Sequence, residues 1–287
     1  GSLPITGGSR QTRAARKEKT MSKKVSIQTV NYVCPGCKGP LQASENVLQC
    51  SQCQRSYPIR ENIPDFLTAS DLSPTATRLA KTMDLVAPIY ETRPFVSILT
   101  KLSNVNHGAF LFERVSAYHA KTLQGVCGAV LDVACGPATY SRRIASPARD
   151  VYGIDISLGV LRQGMIYIAR DNITGVHLAR ARVEQLPFEE AIFEGAICSG
   201  SLHLFPDTVL ALREIGRTLK PGAALSVQTF VAGKTAINRM LQNRSWLHTF
   251  KLDELQADLN EAGFDEFRPE LDGIVLTFSA RKAIPAG

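Results

Sequence analysis

Two pairs of cysteines are the first residues in this chain whose spacing implies chemistry. Cys34-Pro35-Gly36-Cys37 and Cys50-Ser51-Gln52-Cys53 are C-x2-C pairs, twelve residues apart. Four thiolates at that spacing form a tetrahedral zinc site with no open coordination position, so the metal would be structural rather than catalytic. Gly36 suits the turn that brings two sulfurs together, and Pro35 stiffens it. Two facing pairs argue against a redox dithiol. Tyr32-Val33, Leu41 and Val47-Leu48-Gln49 read as short strands around the pairs. So small a unit buries little apolar surface, and bound metal would supply much of its folding energy.

The second chemical stretch is Val130-Leu131-Asp132-Val133-Ala134-Cys135-Gly136-Pro137-Ala138-Thr139-Tyr140. It reads as a buried strand, a tight turn of small residues and a helix start, a shape that lets backbone N–H groups approach a ligand. Nineteen residues after Gly136, a second apolar strand ends in Asp155. A loop after one strand and an acid at the tip of the next form the adenosine-binding half of a Rossmann-like sheet, with the acid on the ribose hydroxyls. Asp132 ends the first strand, where a carboxylate can meet an ammonium group. The loop lacks the glycines that cradle a pyrophosphate. Further on, Ser199-Gly200-Ser201-Leu202-His203 follows another strand, and His203 is the candidate acid or base there.

These residues need a scaffold, and the pattern supplies one. From residue 126 strands alternate with helices, as in a parallel α/β sheet. Strands are expected at Gly128–Val133, Val151–Ile156, Gly175–Ala181, Gly195–Ser199 and Ala223–Phe230, with a final antiparallel pair at Phe264–Phe267 and Gly273–Ala280. Helices are expected at Leu158–Ala169, Thr208–Leu219 (stopped by Lys220-Pro221-Gly222) and Leu252–Ala262. Before them, apolar residues at helical spacing make 69–125 a helical connector. The expected division is 1–30 a tag or flexible basic tail, 31–68 a zinc ribbon, 69–125 a connector or lid, and 126–283 the main domain.

Residues 126–283 resemble the class I S-adenosylmethionine-dependent methyltransferases of the type 11-like group. The markers are Leu131-Asp132-Val133-Ala134-Cys135-Gly136, Gly153-Ile154-Asp155-Ile156-Ser157, Glu184-Gln185-Leu186-Pro187-Phe188 and Leu219-Lys220-Pro221-Gly222-Ala223, in that order. Residues 31–68, ending Tyr57-Pro58-Ile59…Ile63-Pro64-Asp65-Phe66-Leu67, resemble a Trm112-like zinc ribbon. The resemblance implies a seven-stranded Rossmann-like sheet and methyl transfer by SN2 displacement. It implies S-adenosyl-L-methionine at Asp132, Ala134, Cys135, Gly136, Asp155, Ile156, Val183, Glu184 and Ser199, with Tyr90 as an aromatic lid. Structural Zn2+ would sit on Cys34, Cys37, Cys50 and Cys53. Two departures stand out. Ala134 and Ala138 occupy positions where the family commonly has glycine, and Arg182 stands where it commonly has an adenine-reading aspartate, a hydrogen bond that arginine cannot accept.

Charge bears on the methyl acceptor. The net charge is +7, but residues 1–24 hold seven basic residues against the single acid Glu18, so the remainder is near neutral. A near-neutral fold without a basic stripe favours a small-molecule acceptor, with ribosomal RNA as the alternative and a non-catalytic binding subunit as a third reading. No apolar run is long enough to span a bilayer, and paired thiols suit a reducing, cytoplasmic setting. Cys127, Cys135 and Cys198 are expected to be buried. His107 is expected in a loop, His119 on the polar face of a helix, and His177 in a structural role. Trp246, His248, Lys234, Arg239 and Arg244 fall in a segment that could wall the acceptor pocket.

Overall fold

The central strands of the main domain are buried along most of their length, as a sheet covered on both faces requires. The computed structural model describes residues 32–68, 70–102, 111–231 and 250–285. Its large sheet contains β5 (Gly128–Val133), β6 (Arg149–Asp155), β7 (Val176–Arg180), β8 (Phe193–Ser199), β9 (Leu219–Phe230), β10 (Phe264–Asp272) and β11 (Val275–Lys282). The spatial order is β10-β11-β9-β8-β5-β6-β7. The pairs among β5, β6, β7, β8 and β9 are parallel, and β11 is antiparallel to both β9 and β10. Chain order reverses between β5 and β8. The carboxyl ends of strands at such a switch point are where α/β folds bind ligands.

Helices α4 (Ser141–Ile144), α5 (Leu158–Arg170), α6 (Thr208–Thr218) and α7 (Leu252–Glu261) join these strands. Their starts follow from local chemistry. The Ser157 hydroxyl accepts from the Val160 N–H at the head of α5, and Asp207 accepts from the Leu210 N–H at the head of α6. One boundary differs from expectation. Leu219 already pairs with Phe193, so Lys220-Pro221-Gly222 lies inside β9 rather than in a turn before it. Proline is tolerated because the pairing is irregular between Phe193 and Gly195, and Lys220 and Pro221 are exposed.

The connector comprises α1 (Pro74–Val86), a 3-10 turn at Ala87–Ile89, α2 (Arg93–Leu102) and α3 (Leu111–Thr122). Ser73 caps α1 and Pro74 occupies its first turn. The N-terminal unit is a four-stranded antiparallel sheet of β1 (Leu41–Ala43), β2 (Val47–Cys50), β3 (Ser56–Arg60) and β4 (Ile63–Pro64).

This small sheet is more than an appendage. The Val33 N–H donates to the Pro187 carbonyl at 3.0 Å, and the Phe66 N–H to the carbonyl of Arg180, the last residue of β7, at 2.8 Å. Tyr32 packs between Phe66 and Phe188, with ring centroids 5.2 and 5.4 Å away. Tyr32, Leu48, Tyr57 and Phe66 belong to the same buried cluster as Leu131, Ile154 and Phe188 of the main domain. Among the described residues, no helix is long and apolar enough to cross a membrane.

Candidate active site

Asp132 is the penultimate residue of β5 and is 1% exposed. Its Oδ2 accepts from the Ser141 hydroxyl at 2.5 Å, while Oδ1 is buried with no partner. Burial, reinforced by the charge of Asp155, pushes its carboxyl up to about 7 against the pull of Ser141. Such an orphaned acceptor fits a cationic donor such as an ammonium.

Asp155 ends the neighbouring strand. Its Oδ2 accepts from the Gly136 N–H at 3.0 Å and its Oδ1 from the Ser157 N–H at 2.9 Å. These bonds fix the carboxylate against the loop and leave lone pairs for a diol. Burial raises its pKa, as does the nearby Asp84. The loop is left-handed at three positions: Ala134 at φ 54°, Gly136 at φ 56° and Ala138 at φ 58°. The two alanines therefore stand where the backbone favours glycine, at a cost of roughly 1 kcal/mol or more each. A Cβ on Gly136 would meet only Val160 Cγ1, at 3.9 Å, so backbone angle rather than space makes that position glycine. Cys135 is buried beside Gly153, which burial, with Asp132 and Asp155 nearby, renders an inert thiol of raised pKa.

The residues expected on the adenine side are adjacent. The Ala181 N–H donates to the Asp155 carbonyl at 3.1 Å, placing the 3-10 turn Val183–Gln185 beside the tip of β6. Val183 is buried and Glu184 half-buried. The Ile156 carbonyl accepts from Arg180 Nε at 2.9 Å. Arg182 neither stacks in the site nor points to solvent: its Nη1 donates to the Asp71 carbonyl at 3.1 Å and its Nε is buried without a partner. It anchors the head of the connector.

Tyr90, the expected lid residue, packs into the aromatic cluster of the connector. Its ring stacks on Phe112 at 5.3 Å and tilts against Phe95 at 5.6 Å, yet the residue is half-buried. Burial, then the charges of Glu91, Asp155 and Asp132, raise its hydroxyl to about 12. Its neighbour Glu91 accepts from the Thr139 hydroxyl at 2.7 Å and from Arg142, which also binds Asp171 at 2.5 Å. The turn is thus stapled to the residue that follows Ala138.

Across the sheet, Ser199 is half-buried and lies one residue past Cys198, the partner of Val133 in register. His203 lies on a short 3-10 turn, 5% exposed, with Nδ1 3.2 Å from Thr229 Oγ1 and its ring edge-on to Phe230. Burial lowers its pKa to about 4. His203 is therefore neutral at pH 7 and a weak proton acceptor. His177 stacks on Tyr152 within the sheet, at 4.7 Å.

Two expectations are corrected. Cys127 is exposed, because it precedes β5 instead of lying in it. His119 is fully buried rather than on a polar face, with both ring nitrogens bonded to serines of β8 and β9. The sequence reading also missed Ser141, Glu91, Asp84 and Asp65. Ser141 sits one turn past the loop it serves, which is a usable signal; the others act across elements distant in the chain. His107, Trp246, His248, Lys234, Arg239, Arg244 and residues 1–31 lie outside the described residues.

A second cluster lies in the small sheet. The Sγ atoms of Cys34, Cys37, Cys50 and Cys53 all lie within 4.8 Å of one another, with Cys34–Cys53 at 3.6 Å and Cys37–Cys50 at 3.5 Å. Tetrahedral thiolates about 2.3 Å from a zinc ion stand about 3.8 Å apart, so the donor set fits.

Residues 130–222 match a family model described as a methyltransferase domain, and residues 33–62 match one described as Trm112p-like. With the seven-stranded fold, these matches support a class I S-adenosylmethionine-dependent methyltransferase domain preceded by a Trm112-like region. An uncharacterized chloroplastic methyltransferase of Arabidopsis thaliana is 27% identical over 296 residues, spanning 92% of this chain and 82% of that one. A demethylmenaquinone methyltransferase of Listeria monocytogenes is 34% identical over 100 residues, which is 34% of this methyltransferase and 42% of the relative. The likeness to the Listeria protein therefore covers less than half of its length. Among solved structures, the [4+2]-cyclase SpnF shares the fold with TM-score 0.60 and 18% identity, over 74% of this chain and 98% of that one. A Haemonchus contortus phosphoethanolamine N-methyltransferase solved with S-adenosyl-L-methionine does so with TM-score 0.57 and 14% identity, over 77% and 62%.

Proposed function

We propose that this methyltransferase transfers the methyl group of S-adenosylmethionine to an oxygen, nitrogen or carbon of a small molecule. One observation carries this reading: Glu91 bonds the Tyr90 turn to Thr139 and Arg142 beside the loop, and in this reading the connector so held roofs the site. A roofed site admits a small acceptor more readily than a base within a folded RNA. Charge supports the same side. Arg142, Arg149, Arg180 and Arg217 are engaged with acids or backbone carbonyls of the protein, where an RNA-binding surface would leave such cations facing outward. The name demethylmenaquinone methyltransferase, borne by the Listeria relative, also denotes a small-molecule acceptor.

In this reading Asp132 receives the methionine ammonium and Asp155 the ribose hydroxyls. Backbone groups of Ala134, Cys135 and Gly136 line the loop, Ile156, Val183 and Glu184 the adenine rim, and Ser199 and Tyr90 the methionine side. When bound, the sulfonium supplies an electrophilic methyl carbon, and its sulfur keeps the electron pair as the acceptor bonds to that carbon. The protein aligns the acceptor and excludes water, which can supply much of the acceleration. His203, neutral at pH 7, contacts the acceptor through Nε2 and takes its proton where one must leave.

The four ribbon cysteines hold structural zinc in this reading, and a reducing compartment such as the cytoplasm keeps their thiols available. Metal analysis should return about one zinc per chain. Zinc retained at that level after replacing both Cys34 and Cys50 would refute the assignment. For the acceptor, the test is incubation with labelled methyl donor and a cell extract separated into RNA and small molecules. Label in the small-molecule fraction is expected; label confined to RNA would overturn the reading.

A further inference from the structure

We propose that His119 of the connector helix α3 is a positioning residue that fixes the Ser199 hydroxyl toward the bound cofactor. The inference rests on the assignment of Ser199 to the cofactor side made above. His119 is 0% exposed. Its Nε2 lies 2.5 Å from Ser199 Oγ and its Nδ1 2.8 Å from Ser226 Oγ, and its ring stands edge-on to Tyr140 at 5.4 Å. Burying an imidazole costs free energy unless both nitrogens find partners. Here both do, and the partners come from β8 and β9, whose neighbouring residues Ile197 and Ser226 are in register.

The pair of bonds has a consequence at the site. A neutral imidazole donates from one nitrogen and accepts at the other. In either tautomer the Ser199 hydroxyl is held in one rotamer with one polarity. Ser199 is half-buried at the carboxyl edge of the sheet, while Ser226 is fully enclosed, so only Ser199 can pass that order on to a ligand. Burial lowers the imidazole pKa to about 3. Protonation of His119 is therefore strongly disfavoured, and positioning rather than proton transfer is its role. Phe112, which stacks on Tyr90, lies seven residues before His119 on α3. Two helical turns put both on one face. One helix face thus backs the lid tyrosine and the β8 serine together.

The test uses the full-length protein and S-adenosylhomocysteine as the titrant in calorimetry. A glutamine at 119 can place its amide where Nε2 meets Ser199, whereas an asparagine reaches only the Ser226 side. Ser199→Ala and His119→Asn should each weaken binding about fivefold or more, while His119→Gln stays within about twofold of wild type. Equal effects of the glutamine and asparagine variants would reduce His119 to a purely structural role and overturn the proposal. Unchanged affinity in Ser199→Ala would overturn the Ser199 assignment, and the proposal with it, while the roles of Asp132 and Asp155 stand. Should the His119 variants fail to fold, 15N-histidine NMR of the wild type decides. The Nε2 signal of the histidine in contact with Tyr140 should shift on adding S-adenosylhomocysteine, and an unmoved signal contradicts the proposal.

Discussion

Asp132 is held buried, with one oxygen unpartnered, in a state that a cationic ligand would relieve. Its folded carboxyl titrates near 7 against 3.8 as the ordinary value, with burial the main cause. The folded chain therefore holds this proton more tightly than the unfolded chain. The stability it contributes is present at low pH and is lost as pH rises through 7. Asp132→Asn should raise the melting temperature of the ligand-free protein at pH 8 and leave it little changed at pH 4. The same change should weaken S-adenosylhomocysteine by roughly 1.5–3 kcal/mol, because the ammonium loses a charged partner. His119 has the opposite sign. Its folded pKa is pushed down to about 3 from 6.5 by burial, so its contribution is present above 6.5 and lost as pH falls toward 3. His119→Gln should flatten the melting temperature between those limits, and an unchanged slope would contradict the burial argument. At this scale the sequence was informative where chemistry follows strand ends: Asp132, Gly136 and Asp155 stand where the pattern put them. His119 was not legible, since a helix of mixed polarity does not say which polar residue finds buried partners.

Elements were legible in type and less so in their ends. The strand after α6 begins at Leu219 because it answers to Phe193 on β8, a partner no local pattern announces. The helix expected after Tyr140 is a single turn, Ser141–Ile144, because Ala145 is already extended. The connector shows the same division. Its helices follow apolar spacing, whereas the closure of its turn depends on Glu91 meeting Thr139 and Arg142, about fifty residues further along. Glu91→Gln keeps the shape and removes the charge. We expect faster amide exchange across residues 87–92, and dissociation of S-adenosylhomocysteine accelerated about threefold to tenfold, the equivalent of roughly 1 kcal/mol. Unchanged exchange would mean that the aromatic contacts of Tyr90 alone hold the turn.

At the scale of the whole molecule, the ribbon and the sheet share apolar surface that neither part's sequence reveals. The ribbon motifs were evident from cysteine spacing alone. Their docking was not, because it depends on Phe66 and Tyr32 meeting Phe188 and on Asp65 reaching Arg180 at 3.2 Å. Phe66→Ala should cost about 3–5 kcal/mol, as truncation of a buried phenylalanine does. Because the core is continuous, that loss should lower one common unfolding transition, and two separate transitions in the wild type would contradict a shared core. The central claim is that the paired acids at the ends of β5 and β6, with the loop between them, hold S-adenosylmethionine. Calorimetric titration of the full chain with S-adenosylhomocysteine, beside Asp155→Ala, tests it most directly. The account predicts saturable binding to the wild type, weakened in the variant by roughly 1.5–3 kcal/mol for the loss of hydrogen bonds to a charged group. Absence of binding to the wild type, or equal affinity in the variant, would contradict it.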